Sequence, residues 1–235
     1  MTVGGAPADK PARLVAPDEP LVVHGPPPRF VGRGGEKLAA ALERFAVPVA
    51  GRRAIDLGAS TGGFTDCLLQ AGARTVVAVD VGYGQLHERL RADDRVEVHE
   101  RTNVRHLARG DLGDPFDVLV ADLSFISLRT VLPAVLPLAA SGADLVALVK
   151  PQFEAGREEA ARGRGIISDP AVWTRVLDEV MSALSEAGAA IMGAMVSPLT
   201  GADGTDEFLV HARPGEAGPP FEALVGATVA EATSR

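Results

Sequence analysis

Short apolar runs at residues 54–57, 75–80, 96–99, 116–122 and 144–149 recur along the chain at nearly even intervals. Between them lie segments of helical periodicity. This alternation constrains the fold more than any other feature. Consecutive strands separated by helices have to run parallel, with the helices packed on both faces of the sheet. In the segment 36–45, Leu38, Ala41, Leu42 and Phe45 share one helical face. Further helices are expected from Gly63, over 85–91, over a proline-interrupted 128–140, and over 170–186. Asp169 suits the N-cap of the last of these and Pro170 its first position. Residues 189–197 and 207–212 read as a closing pair of strands. In such sheets the ligand crevice forms outside the C-terminal ends of the strands.

At 235 residues the chain is long enough for one α/β domain with a full core and an appendage. Residues 1–29 are rich in Pro, Gly and Ala and read as a linker or remnant; the main domain is expected over 30–213, and a C-terminal tail with helical character over 214–235. The single cysteine, Cys67, excludes an intrachain disulfide and any cysteine-rich zinc module. The five histidines show no metal-ligand spacing, so no metal is expected. The N-terminus lacks the layout of a signal peptide, and no apolar run approaches the roughly 20 residues that span a bilayer. The reading is a cytoplasmic protein with no membrane partner. The net charge of −8 leans against nucleic acid, whose phosphates need Lys and Arg. Arginines nevertheless cluster locally, at 29, 33, 44, 52 and 53 and again at 157, 162 and 164.

The first strand runs into "IDLGASTGGFTD" (55–66), a glycine-rich turn that opens a helix. Glycine lets the backbone turn sharply and approach a ligand closely. The spacing is not the G-x-G-x-x-G of a dinucleotide site, and no lysine follows as in a P-loop. Asp80 ends the next strand, where an acid can accept both ribose hydroxyls of a nucleoside. A nucleoside cofactor without a phosphate fits best, which points to S-adenosylmethionine. The expected cofactor residues are Asp56, Gly58, Ser60, Thr61, Gly62, Gly63, Phe64, Asp80, Val81, Asn103 and Asp122.

Positive charge in this chain is written almost wholly as arginine: of 23 Lys+Arg, only Lys10, Lys37 and Lys150 are lysines. Lys150 stops an apolar run in "LVKPQFE" (148–154), and Lys37 sits in the first turn of a helix, where a cation is disfavoured by about 0.3–1 kcal/mol. Arginine stays protonated, whereas lysine can serve as a base when burial or a neighbouring cation lowers its pKa.

The strings "GRGGEKL", "DLGASTGGFTD", "DVGYGQL", "ERTNVR", "ADLSFISL" and "LVKPQFE" occur in this order. Together they resemble the TlyA (hemolysin A-like) family, within the FtsJ-like group of RNA 2′-O-methyltransferases, over about residues 30–213. The resemblance implies a Rossmann-like methyltransferase fold, with a mostly parallel seven-stranded sheet and an antiparallel last strand. It implies methyl transfer from S-adenosylmethionine to a ribose 2′-hydroxyl, cytidine in ribosomal RNA, and ribosomal RNA or ribosomal subunits as partners. Carried over motif by motif, its catalytic tetrad is Lys37, Asp122, Lys150 and Glu207, which implies Lys37 as the neighbouring cation of Lys150 and Asp122 and Glu207 as the acids that orient the two lysines. Such proteins usually carry an N-terminal RNA-binding module; residues 2–15 resemble only its tail, so residues 1–29 are expected to be what remains of it. Two other readings stay open: a small-molecule methyltransferase on the same scaffold, and a non-catalytic hemolysin-like binding protein. Phe125 is read either as a stacking platform for a base or as a core residue. Residues 151–168 are read as a substrate lid or a long loop.

Overall fold

The computed structural model describes all residues except 9, 11, 26–27, 157–158, 160–165, 202–203, 217 and 219. The arginines at 157, 162 and 164, and eight of the eighteen residues of the expected lid, lie outside the described residues. Near the N-terminus, β1 (Thr2–Val3), β2 (Ala6–Pro7) and β3 (Leu21–Val22) form a small antiparallel sheet in the order β2-β1-β3. From there the chain alternates. α1 (Gly34–Arg44), β4 (Arg53–Leu57), α2 (Gly63–Gln70), β5 (Thr75–Val79), α3 (Glu88–Arg91) and β6 (Val96–His99) build one half. β7 (Phe116–Ala121), α4 (Leu128–Val135), β8 (Ala139–Val149), α5 (Pro151–Glu154), α6 (Pro170–Glu186), β9 (Ala189–Val196), β10 (Phe208–Pro214) and α7 (Glu222–Thr233) build the other.

The seven strands of the main sheet lie in the order β6-β5-β4-β7-β8-β10-β9. β4 to β8 pair in parallel, and β10 runs antiparallel to both β8 and β9. The central strands β4, β5, β7 and β8 are largely apolar because both of their faces are covered. Ala54, Val76, Val118, Val146 and Leu209 pack with Leu38, Ala41 and Leu68 on the α1–α2 side. Ile55, Val77, Leu119, Leu145 and Val210 pack with Val131, Leu177 and Val229 on the α4–α6–α7 side.

Helix ends follow local chemistry. Asp169 Oδ1 accepts from the Ala171 N–H at 2.9 Å, so it caps α6 as its sequence position implied. The expected helix over 128–140 is instead α4, a 3-10 turn at Leu136–Leu138, and a β8 that begins at Ala139. Pro137 has no N–H to continue the helix, and apolarity then carries on in strand form. The expected 85–91 helix shrinks to the four residues of α3, because Gln85 lines the cleft and His87 caps the helix that follows.

The end of the sheet away from the crevice is tied by Asp144, which accepts from Arg52, His211 and Arg213 at 2.8–3.0 Å. Burial works against its charge, but these three donors win and hold its carboxyl below the ordinary range. The crevice end is left free for chemistry. There, Phe208 of β10 lies opposite Val149 of β8, a register that brings Glu207 alongside Lys150.

Candidate active site

β4 ends in the glycine turn, and the turn is bonded to its neighbour strand: the N–H groups of Gly58 and Ala59 both donate to Val79 O, at 2.8 and 3.1 Å. Gly58 has φ +89°, and a Cβ there would stand 2.5 Å from Asp122 O. The turn and the end of β7 can therefore approach this closely only without a side chain at position 58. Asp80 closes the ring. Its Oδ2 accepts from the Ser60 N–H at 2.8 Å and its Oδ1 from the Gly82 N–H at 2.6 Å. A carboxylate has about four lone-pair positions, so two remain for a ligand.

These loops enclose a cleft of about 460 Å³, lined among others by Gly58, Ser60, Asp80, Val81, Asn103 and Asp122. A smaller cavity of about 120 Å³ shares Gly58, Ser60 and Asp122 with it and adds Thr61, Gly63 and Phe64. The two meet at the tip of the turn, a shape that suits a bent ligand with a nucleoside arm and a shorter polar arm. Of the expected cofactor residues, Asp56 and Gly62 line neither cavity. Gly62, at φ +96°, is the N-cap of α2 and lies against Leu86 and Leu90.

Asp56 is fully buried beneath the turn. Its Oδ2 accepts from the Thr65 N–H (2.9 Å) and hydroxyl (2.7 Å), while Oδ1 has no hydrogen-bond partner among the described residues. Desolvation raises its pKa to about 7, against the lowering effect of Thr65 and with a smaller push from Asp122 and Asp80. The sign follows directly. The folded protein keeps this proton where the unfolded chain has lost it, so the contribution to stability is full below about pH 4 and gone above about pH 7. The difference between wild type and Asp56→Asn isolates the group, since asparagine can still accept from Thr65. Between pH 5 and pH 8, wild type should lose on the order of a few kcal/mol more than the variant in urea unfolding. Parallel pH dependence in the two proteins would refute the buried proton.

The four tetrad residues lie at the same end of the sheet as two ion pairs. Lys37, in the first turn of α1, meets Glu207, and both side chains are nearly closed off, at 8% and 4% exposure. Lys150 Nζ stands 2.5 Å from Asp122 Oδ1, a contact whose direction falls outside hydrogen-bond geometry, and donates to Ser124 Oγ at 3.0 Å. Each lysine thus has its own carboxylate. Gly34 links the pairs: a Cβ there would come within 3.8 Å of Asp122 Oδ2.

Two residues missed or left open in the sequence stand beside Lys150. Ser124 lies two residues beyond Asp122 in "ADLSFISL" and was legible as a polar loop residue only. Phe125 is 92% exposed, at φ +65°, with its ring 5.3 Å from that of Phe153. The core reading of Phe125 is therefore excluded.

The profile of the FtsJ-like methyltransferase family matches residues 30–214. The chain belongs to that family. This FtsJ-like methyltransferase is 49% identical over 214 residues to the 16S/23S rRNA (cytidine-2′-O)-methyltransferase TlyA of Mycobacterium tuberculosis (strain ATCC 25618 / H37Rv), covering 91% of this chain and 80% of that one. It is 50% identical over 211 residues to YqxC of Bacillus subtilis (strain 168), named as an rRNA methyltransferase, covering 88% of this chain and 74% of that one. A solved structure from Streptococcus thermophilus, named as a hemolysin, superposes with a TM-score of 0.87 at 40% identity, covering 98% of this chain and 84% of that one. The cofactor of the FtsJ-like chain is S-adenosylmethionine, and the paired cavities, the bare Gly58 and the Asp80 carboxylate fit it. No described helix is long and apolar enough to cross a membrane.

Proposed function

We propose that this chain methylates a ribose 2′-hydroxyl of ribosomal RNA, with cytidine as the target nucleoside, using residues 30–213 as its catalytic domain. The observation that carries the proposal is the placement of Lys150: paired with Asp122, bonded to Ser124, at the rim of the cofactor cleft and beside an exposed aromatic ring. A ribose hydroxyl is a poor nucleophile and has to lose its proton as it attacks. Bound S-adenosylmethionine supplies an electrophilic methyl group, so the protein's work is to orient the hydroxyl and receive its proton. Lys150 takes the proton at Nζ in its neutral form, having first released its own proton to solvent; Asp122 and Ser124 hold that nitrogen at the rim, and Lys37 with Glu207 fixes α1 against the sheet. Asp80 holds the cofactor ribose from the opposite side, while Asn103 and Val81 flank the nucleoside arm.

Phe125 gives the reading its preference for nucleic acid over a small molecule. An unpaired base can stack on an exposed ring, and such stacking is worth about 1–3 kcal/mol. The test is incubation with methyl-labelled S-adenosylmethionine and ribosomal subunits, followed by digestion to nucleosides. Label in 2′-O-methylcytidine is the expected outcome; label confined to a small molecule, or absent, overturns the proposal.

A further inference from the structure

Glu154, the last residue of "LVKPQFE", is buried, although it is a carboxylate at the end of a four-residue helix. Its partners lie on the neighbouring loop. Oε1 accepts from the Leu128 N–H at 2.6 Å, and Oε2 accepts from the Ser127 hydroxyl at 2.5 Å. Leu128 opens α4, so the carboxylate satisfies a helix-start donor that has no partner in its own helix. Ser127 Oγ in turn accepts from the Arg129 N–H at 3.2 Å. Arg129 adds a second tie: one guanidinium nitrogen donates to Glu154 O at 2.9 Å, and another meets Glu179 of α6 at 2.8 Å. The knot is thereby referenced to a long core helix.

The loops that Glu154 joins are the two that leave the catalytic strands. The loop after β7 runs from Asp122 through Ser124 and Phe125 to Ser127. The segment after β8 runs from Lys150 through Phe153 to Glu154. Their near ends are joined by Lys150 with Asp122 and Ser124. Their far ends are joined only through Glu154 and Arg129 among the hydrogen bonds and ion pairs of the described residues. Between the two ties lie the paired rings of Phe125 and Phe153, and Phe125 is held at a φ that L-residues seldom adopt. Such a conformation persists only where surrounding contacts over-determine it.

We infer that Glu154 is a positioning residue for RNA: it closes the far ends of the two loops, so that Phe125 and Phe153 present one fixed aromatic face beside Lys150. The inference rests on the proposed RNA reading for its function, but the clamp itself is a property of the protein alone. Opening the far tie leaves Lys150 held at the near one and leaves the glycine turn and Asp80 untouched, while Leu123, Ser124, Phe125 and Ile126 of the tied loop line only the other wall of the cleft. The loss therefore falls on RNA affinity rather than on the chemical step.

The experiment compares Glu154→Ala, Glu154→Gln and Ser127→Ala in the full chain. For Glu154→Ala, kcat/KM for RNA should fall about tenfold to hundredfold, the scale of a charge-assisted hydrogen bond, and the fall should lie in KM. Cofactor affinity should fall by much less than RNA affinity, since Gly58, Ser60 and Asp80 lie outside the tied loops. Glutamine can accept from Leu128 and donate to Ser127, so Glu154→Gln should recover most of the loss. Ser127→Ala, which removes one of the two donors, gives an intermediate KM and serves if the alanine variant at 154 fails to fold. A fall in kcat at unchanged KM, a parallel loss of cofactor affinity, or no recovery with glutamine would each overturn the inference. Amide exchange at Leu128 separates the clamp from the RNA reading. Protection in wild type and Glu154→Gln with fast exchange in Glu154→Ala establishes the clamp even if wild type methylates no RNA; equal protection in all three refutes it.

Discussion

With arginine at position 150, the protein should fold, bind S-adenosylmethionine with near-normal affinity, and lose at least about 10²-fold in methyl transfer, the lower end of a general-base contribution. The reasoning starts from what the substitution keeps. Lys150 Nζ touches Asp122 Oδ1 and Ser124 Oγ and lies 5.9 Å from the Phe153 ring centroid. A guanidinium can satisfy the same carboxylate and hydroxyl, and it packs well over an aromatic ring. The residues that line the cofactor cleft on the glycine turn and at the end of β5 are not among these contacts. If Lys150 only attracted an RNA phosphate, arginine would serve as well or better, because its fork matches phosphate geometry. What arginine cannot do is give up its proton to become a base. Single-turnover assays at saturating RNA and cofactor isolate the chemical step. A variant that keeps more than about a tenth of the wild-type rate would exclude an essential neutral-lysine role on that scale.

How much of this was legible in the sequence depends on whether a contact is local or is set by register. The parallel sheet was legible because strands covered on both faces must be largely apolar, and β4, β5, β7 and β8 are. The cleft was legible because the glycine turn and Asp80 mark the ends of adjacent strands. Asp56 illustrates the limit. An acid near a strand end can turn toward the crevice or beneath the following helix, and the period-2 alternation that puts Ala54 toward α2 puts Asp56 there too. The partner of Lys37 was not legible from spacing, since Glu207 lies 170 positions away and reaches it through the β8–β10 register. Glu154 was quoted in a motif and still missed. Four residues of "PQFE" carry no periodicity, and only the fold shows Leu128 and Ser127 facing its carboxylate.

Removing the Lys37 ammonium while leaving Glu207 should cost about 3–5 kcal/mol, because a buried carboxylate is left without its counter-charge. Lys37 occupies an unfavourable place for a cation, the first turn of α1. It is nevertheless buried there, in direct contact with Glu207. Gly201 packs against the same carboxylate: a Cβ at that position would come within 2.9 Å of Glu207 Oε1, so little water can replace the lost partner. Lys37→Met preserves the aliphatic stem and removes only the charge, so the cost reads as the unpaired Glu207 rather than a cavity. At roughly 2–4 °C per kcal/mol for a chain of this size, the midpoint should drop by about 10 °C. The double variant Lys37→Met with Glu207→Leu should recover most of that loss, since apolar replacement of a whole buried pair is often neutral. Methyl transfer should stay abolished in the double variant, because stability returns without the charges that the reaction uses. This pair of measurements separates the two roles. Near-wild-type stability of Lys37→Met would show that the pair is not desolvated as described. Full activity of the refolded double variant would show that Lys37 and Glu207 only pack α1 onto the sheet, leaving the reaction to Lys150 and Asp122.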